Sequence, residues 1–384
     1  MKKICVITGT RAEFGILSRL IHEIKKDKSL DLQLIATGMH LSPEFGLTYK
    51  EIESYNLKIT KKIEILLSSD TPVGISKSMG LAQISFAQAF EELKPDMIIL
   101  LGDRFEIFSA ASTALVATIP IAHIHGGETT EGAIDESFRH SITKMSHLHF
   151  TATQEYKNRI IQLGENPNYV FNVGSLGIEN ILHTPHVTKK DLEKKLGFTF
   201  KEKNILVTYH PETTEKNTTT NFQEILKSLQ KLKNTQIIFT KSNADTNGRI
   251  INNMIDSFVT SFDNSYQTTS LGQKNYYNCL KYVDAVIGNS SSGIIEVPSF
   301  NIATINIGNR QKGRIQSKSI INCNPITKEI DQAIKHSYSP KFKKLLNTNQ
   351  NPYEKKDTCK NIIKHLKKSS KSITIAKQFF DLKH

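Results

Sequence analysis

The stretch DMIILLGDRFEIFSAASTALVATIPIAHIHGGE, residues 96–128, carries the pattern that decides the fold. An aliphatic run ends at Gly102, a segment with helical spacing of apolar residues follows over 105–117, and a second short run, IPIAHI, closes at Ile124. Strand, helix and strand at this spacing call for parallel pairing through a right-handed crossover. Ionisable residues stand just past each run: Asp103 and Arg104 after the first, His125 and Glu128 after the second. In open parallel sheets the functional loops lie beyond the carboxyl ends of the strands, so these positions are the first candidates for chemistry.

Working outward, the alternation continues. KICVIT, DLQLIAT and HLHFTA read as further strands of the first half, with a helix over 14–26. Residues 174–200, with Gly174, Gly177, Pro185 and a lysine cluster, read as an interdomain connection. The pattern then restarts with strands NILVTYH, TQIIFT, YQTTS, DAVIGN and ATINIG and helices near 220–232, 246–258, 274–282 and 292–298. The expected fold is α/β, with two Rossmann-like lobes built on parallel sheets in the glycosyltransferase-B arrangement, whose ligands bind in the interlobe cleft. Residues 1–175 form the first lobe, 176–364 the second, and a helix over 365–384 rejoins the first.

A length of 384 residues suits two or three domains of roughly 100–200 residues each. The N-terminal run is interrupted at Gly9 too early for a signal peptide, and no segment is long and apolar enough to span a bilayer, so a cytoplasmic protein with no membrane partner is expected. Cys5, Cys279, Cys323 and Cys359 lack metal-ligand or disulfide-scaffold spacing. The net charge of +13 invites a nucleic-acid reading, but residues 341–384 hold 12 lysines against Glu354, Asp357 and Asp381, interleaved with apolar positions. That pattern describes helices with solvated basic faces, and no nucleic-acid partner is expected. A basic surface suits an anionic nucleotide ligand better.

Several loops concentrate polar chemistry. TGTRAEFG ends the first strand in a turn whose free N–H groups, with Arg11, suit a phosphate; the plainer alternative leaves Arg11 in a surface ion pair. Asp103 is a base or orienting group, or else Asp103 and Arg104 brace a helix start. Within HIHGGETTEGAIDESFRH (123–140), Gly126, Gly127 and Gly132 permit close approach of a ligand. Asp135 and Glu136 fall at a helix start, where one of them is an acid/base group or an N-cap, and Arg139 and His140 point back to the same mouth. The histidines lack a committed metal-ligand set, and no metal or other cofactor is expected. In the second half, His210 ends a strand. Ser290, Ser291, Ser292 and Gly293 suit a diphosphate, Glu296 suits ribose hydroxyls, and Arg310 and Arg314 follow the next strand.

Together GTRAEFG, LGDRFEIF, the 123–150 stretch, HPET, GNSSSGIIEVPS and INIGNRQKGR resemble the hydrolysing UDP-N-acetylglucosamine 2-epimerases of bacterial sialic-acid and related nonulosonic-acid biosynthesis. The resemblance implies conversion of UDP-N-acetylglucosamine and water to N-acetylmannosamine and UDP, by elimination to a 2-acetamidoglucal and then hydration. By resemblance Asp103 and Asp135 are catalytic carboxylates, with Glu136 beside them. Arg139 lies near the diphosphate, and His210 stabilises the departing phosphate. Ser291, Ser292 and Glu296 contact the nucleotide, with Arg11 and Arg310 at its diphosphate or uridine end. Many relatives carry a catalytic glutamate where this chain has His125, so either Glu128 or His125 takes that role, with Glu128 favoured. The resemblance also implies a homo-oligomer, a dimer or dimer of dimers. The alternatives are the same reaction on UDP-N,N'-diacetylbacillosamine for legionaminic acid, a non-hydrolysing epimerase, and a glycosyltransferase on the same two lobes.

Overall fold

The computed structural model describes residues 1–382 apart from 68, 70, 132, 212–216, 243–247 and 370–372. The chain separates into two compact units: Met1–Glu128, Asp135–Asn180 and the segment from Tyr353 onward form the first, and Thr129–Ile134 with Ile181–Pro352 form the second. Each is a Rossmann-like layer of parallel strands and helices.

The first unit runs β1 (Lys2–Thr8), α1 (Arg11–Lys26), β2 (Leu30–Thr37), α2 (Tyr49–Ser54), β3 (Lys61–Ile63), α3 (Pro72–Leu93), β4 (Met97–Leu101), α4 (Phe105–Val116), β5 (Ile121–Ile124), α5 (Asp135–Met145), β6 (Leu148–Thr151), α6 (Gln154–Gln162) and β7 (Val170–Asn172). Its strand order is β3-β2-β1-β4-β5-β6-β7, all parallel. Strand residues of alternate parity feed two separate cores: Ile4, Val6 and Ile99 pack beneath α1, while Cys5, Ile7, Ile98 and Leu100 face α3 and α4. Burial on both faces explains why these strands read as unbroken apolar runs.

The connection expected over 174–200 contains two helices, α7 (Leu176–His183), which buries Leu176 and Ile178, and α8 (Lys189–Leu196), whose buried Leu192 is set among lysines. The second unit continues with β8 (Lys203–Thr208), α9 (Thr218–Leu229), β9 (Thr235–Thr240), α10 (Gly248–Ser261), β10 (Ser265–Thr268), α11 (Gln273–Leu280), β11 (Ala285–Gly288), α12 (Ser291–Ile295), β12 (Ala303–Ile307), β13 (Ile320–Cys323), α13 (Thr327–Ser337) and α14 (Pro340–Leu346). Its parallel sheet has the order β10-β9-β8-β11-β12-β13. The helix expected over 292–298 is shorter: α12 stops before Pro298, where a 3-10 turn over Val297–Phe300 takes over. Proline has no N–H to continue the helical ladder.

The last helix, α15 (Thr358–Ser369), lies upstream of the expected 365–384; positions 370–372 and 383–384 of that range lie outside the described residues. Ile362 and Leu366 of α15 bury against Leu17, Leu20 and Ile24 of α1. Residues 373–382 are not helical, and the β-branched Ile373, Thr374 and Ile375 weaken helix propensity there. They strap the first unit instead. Lys377 Nζ lies 2.6 Å from Glu165 Oε2, and Phe380 N–H donates to Gly164 O at 2.9 Å. Burial pushes the Glu165 carboxyl up, but hydrogen bonds from His149, Lys144 and Lys377 outweigh it and hold the group at about 2.

The start of α1 is a capping box. Thr10 Oγ1 accepts from Glu13 N–H at 3.2 Å, while Glu13 Oε2 accepts from Gly9 N–H at 2.7 Å and Thr10 N–H at 3.2 Å. Glu13 Oε1 and Glu106 Oε2 are buried without hydrogen-bond partners among the described residues. Burial first, and the Glu106 carboxylate second, push the Glu13 carboxyl well above the carboxylate range. Folded Glu13 therefore retains its proton at pH values where an unfolded glutamate, with a pKa of about 4.3, has lost it. The folded state then binds the extra proton, so stability falls as pH rises above the unfolded value.

Two measurements check this account. Wild-type protein should lose stability in urea between pH 6 and pH 8, and Glu13→Gln, an isostere of the protonated acid, should lose less, a tenfold change in proton affinity being worth about 1.4 kcal/mol. Gly288 has φ +140°, and a Cβ there would lie 1.9 Å from Thr208 O. Gly288→Ala should cost the second unit about 3 kcal/mol or more in the same titration.

Candidate active site

Parallel register fixes the first group of candidates. β4 pairs with β5 through Leu100↔His123 and Leu101↔Ile124, so the Asp103 loop and the His125 loop leave neighbouring strand ends. His123 ties them together: its Nε2 lies 2.7 Å from Gly102 O and its Nδ1 lies 3.2 Å from Thr143 Oγ1. Burial holds its pKa down at about 3, so the ring is neutral and structural.

Arg139 on α5 is buried, and a buried guanidinium requires anionic partners. It pairs through Nη2 with the Asp103 carboxylate and donates from Nη1 to Glu136 Oε2 at 3.3 Å. Glu136 Oε1 lies 3.0 Å from His140 Nε2. Asp103, Glu136, Arg139 and His140 thus form one chain of contacts, with Asp135 at the first position of α5. Arg104 does not depend on its neighbour for charge balance, since its Nε donates to buried Glu106 Oε1 at 2.8 Å.

His125 adopts a left-handed backbone, φ +63°, which few residues other than glycine accept. The conformation turns its ring onto Glu128: His125 Nδ1 lies 3.2 Å from Glu128 Oε1, with both side chains buried. His125 Nε2 is buried without a hydrogen-bond partner among the described residues. Gly126 and Gly127 serve packing rather than the open approach expected of them. A Cβ on Gly127 would lie 2.4 Å from Tyr156 O, and one on Gly126 would lie 2.9 Å from His123 Nδ1. Gly132 lies outside the described residues.

The β1–α1 turn also differs from expectation. The Gly9 and Thr10 N–H groups expected to be free for a phosphate are already bonded to Glu13. Arg11 pairs with Glu51 and remains partly exposed.

In the second unit the candidates gather around Asn289, which sequence reasoning missed. β8 and β11 are adjacent, with Thr208 opposite Gly288. Asn289 is fully buried and clamps the His210 backbone, accepting from His210 N–H and donating to His210 O at 2.8 Å each. His210 Nδ1 lies 3.3 Å from Ser242 Oγ. The Asn289 carbonyl in turn accepts from Gln311 Nε2 at 2.8 Å and Arg310 Nη1 at 3.3 Å. Ser290 caps α12 and Ser291 begins it, while Gly293 packs where a Cβ would lie 2.9 Å from Thr304 Cγ2. Glu296 is buried and hydrogen-bonded by Ser292 and Tyr277. Arg314 is buried as well.

The glycine-rich stretch divides between the units. Residues Thr129–Ile134 belong to the second, where Lys312 Nζ lies 3.2 Å from Glu131 Oε2 and a Cβ on Gly313 would lie 2.7 Å from Thr129 Oγ1. Among the described residues no group of three or more His, Cys, Asp or Glu is arranged to hold a metal ion, and no helix is long and apolar enough to cross a membrane.

Known proteins share both sequence and fold with this chain. GDP/UDP-N,N'-diacetylbacillosamine 2-epimerase (hydrolyzing) of Campylobacter jejuni is 50% identical over 346 residues, covering 89% of each chain. Polysialic acid biosynthesis protein P7 of Escherichia coli is 42% identical, covering 100% of this chain and 98% of its own. The crystal structure of UDP-GlcNAc 2-epimerase from Neisseria meningitidis bound to UDP-GlcNAc superposes with a TM-score of 0.81 at 20% identity, covering 96% of this chain and 100% of that one, and so shares its fold. Residues 22–367 match the family described as UDP-N-acetylglucosamine 2-epimerase, and to that family this chain belongs.

Proposed function

We propose that this chain is a hydrolysing 2-epimerase of a UDP-linked 2-acetamido sugar. The observation that carries the reading is the set of acid/base groups at the ends of β4 and β5: Asp103 paired with Arg139, the His125–Glu128 pair, and Asp135 at the start of α5. Inversion at carbon 2 needs proton transfer on both faces of the ring, which one fixed group cannot supply. In the elimination step a base takes the carbon 2 proton, the carbon 1–oxygen bond breaks and UDP departs, leaving a 2-acetamidoglucal. In the hydration step water adds to carbon 1 and a proton returns to carbon 2 from the opposite face.

Asp103 and Asp135 serve as catalytic carboxylates, with Glu136 holding Arg139 in place. Glu128 and His125 act as one unit, the carboxylate orienting the ring so that Nε2 is presented for proton transfer. His210 meets the departing phosphate. Ser290, Ser291 and Gly293, with Arg310, suit the diphosphate, while Ser292 and Glu296, joined by a hydrogen bond, suit the ribose. Arg11 and Arg104 belong with the anion-binding groups. Use of a nucleotide sugar suits a cytoplasmic setting, and the oligomer implied by the resemblance is open to light scattering.

The substrate we favour is UDP-N,N'-diacetylbacillosamine, named in the half-identical Campylobacter jejuni relative. UDP-N-acetylglucosamine, the first expectation from sequence, is the second reading; the Escherichia coli relative that matches the whole chain is named for polysialic acid biosynthesis.

Proton NMR in D2O with each nucleotide sugar separates these readings. The expected outcome is release of UDP and a free 2-epimeric sugar bearing deuterium at carbon 2, faster from the diacetylbacillosamine derivative. An epimer still attached to UDP would overturn the hydrolysing assignment, and turnover of neither would overturn the substrate class. His125→Ala and Glu128→Gln should each lower kcat by about 100-fold or more with folding intact by circular dichroism.

A further inference from the structure

Beside the serine loop of the second unit, two adjacent tyrosines of α11 reach toward Glu296. Tyr277 is almost wholly buried, and its hydroxyl donates to Glu296 Oε1 at 2.6 Å. Ser292 Oγ donates to the other carboxylate oxygen, Oε2. Tyr276 Oη lies 2.7 Å from Ser292 Oγ. The direction of this last bond follows from counting protons. A serine hydroxyl has one proton, and Ser292 commits it to the carboxylate, so Tyr276 is the donor and Ser292 the acceptor.

The result is a directional network. Tyr276 orients Ser292, Ser292 holds one oxygen of Glu296, and Tyr277 holds the other. Burial, and then the Glu296 charge, push both tyrosine hydroxyls above their ordinary range, which keeps them as donors at every working pH. A side chain held at both oxygens has little freedom to rotate about its last bond, so the plane of the carboxylate is set before any ligand arrives. The carboxylate otherwise has no reason to be buried here: a burial of this kind is costly unless donors compensate it.

We propose that Tyr276 and Tyr277 are positioning residues that fix the Glu296 carboxylate to accept the vicinal hydroxyls of a ribose, making the second unit selective for ribonucleotides over deoxyribonucleotides. This rests on the reading of Glu296 as the ribose contact. A preset acceptor plane rewards a ligand that brings both hydroxyls and penalises one that leaves an acceptor facing nothing. Without the tyrosine hydroxyls the carboxylate can turn to suit either ligand, and selectivity falls.

Isothermal titration of the full chain with UDP and with 2′-deoxy-UDP tests the proposal. Wild-type protein should prefer UDP by roughly tenfold or more. Tyr277→Phe, which keeps the ring packed near Phe300, should weaken UDP binding while leaving 2′-deoxy-UDP little changed, bringing the ratio to within about threefold. Tyr276→Phe, a less buried position that acts one bond further away, should move the ratio in the same direction and guards against a folding defect in the first variant. In turnover the loss should appear in KM rather than kcat. Retention of the wild-type ratio in both folded variants would overturn the positioning role. A wild-type protein with no preference, matched by an unchanged Glu296→Gln, would instead overturn the ribose reading of Glu296 and the proposal with it.

Discussion

A guanidinium taken out of water must find anions at fixed distance, and the first unit's chemistry is arranged around that demand. Arg139 is buried on α5 and takes Asp103 from the end of β4 and Glu136 from its own helix. Removing one member of such a group leaves the other charges uncompensated in a low-dielectric setting, so these residues hold one another in position as well as holding their charges. The parallel register of β4 and β5 brings the parts within reach, and neutral His123 sews the two loops together beneath them.

The second unit meets a comparable demand with neutral groups. Asn289 presents an amide to both backbone groups of His210 and its own carbonyl to Gln311 and Arg310. One buried residue, through its side-chain amide and its main-chain carbonyl, thereby ties three strand ends into a single edge. Glu296 is handled in the same way by hydroxyls, which compensate a carboxylate without adding opposing charge.

Much of the architecture was legible because central strands are covered on both faces. β4 is apolar throughout and β1 has an unbroken apolar centre over Ile4–Ile7, while β2 and β5 carry Asp31, Gln33 and His123 among their aliphatic positions, and the periodicity changes sharply where helices begin. β3, β7 and β13 escaped notice for the opposite reason. Each sits at a sheet edge, is only three or four residues long, and contains polar or half-exposed positions. Candidate site residues were visible by type and by place after a strand. Their pairings were not: Asp103 and Arg139 meet across 36 positions, and Tyr277 and Glu296 across 19. The capture of the Gly9 and Thr10 amides by Glu13 was written in the T-x-x-E spacing, a signal that outranks a generic phosphate-binding turn when both fit.

The strap at the chain's end has a bearing on how the protein is made. The first unit needs α15 to cover α1 and needs Lys377 to meet Glu165, yet both are synthesised after the entire second unit. On the ribosome the N-terminal sheet must wait, with the α1 surface bare, while the later unit emerges and has all its own strands available to fold. Assembly order is thus the reverse of what reading from the N-terminus suggests: the half begun first is the half finished last, and its exposed interval is the time chaperones have to attend it.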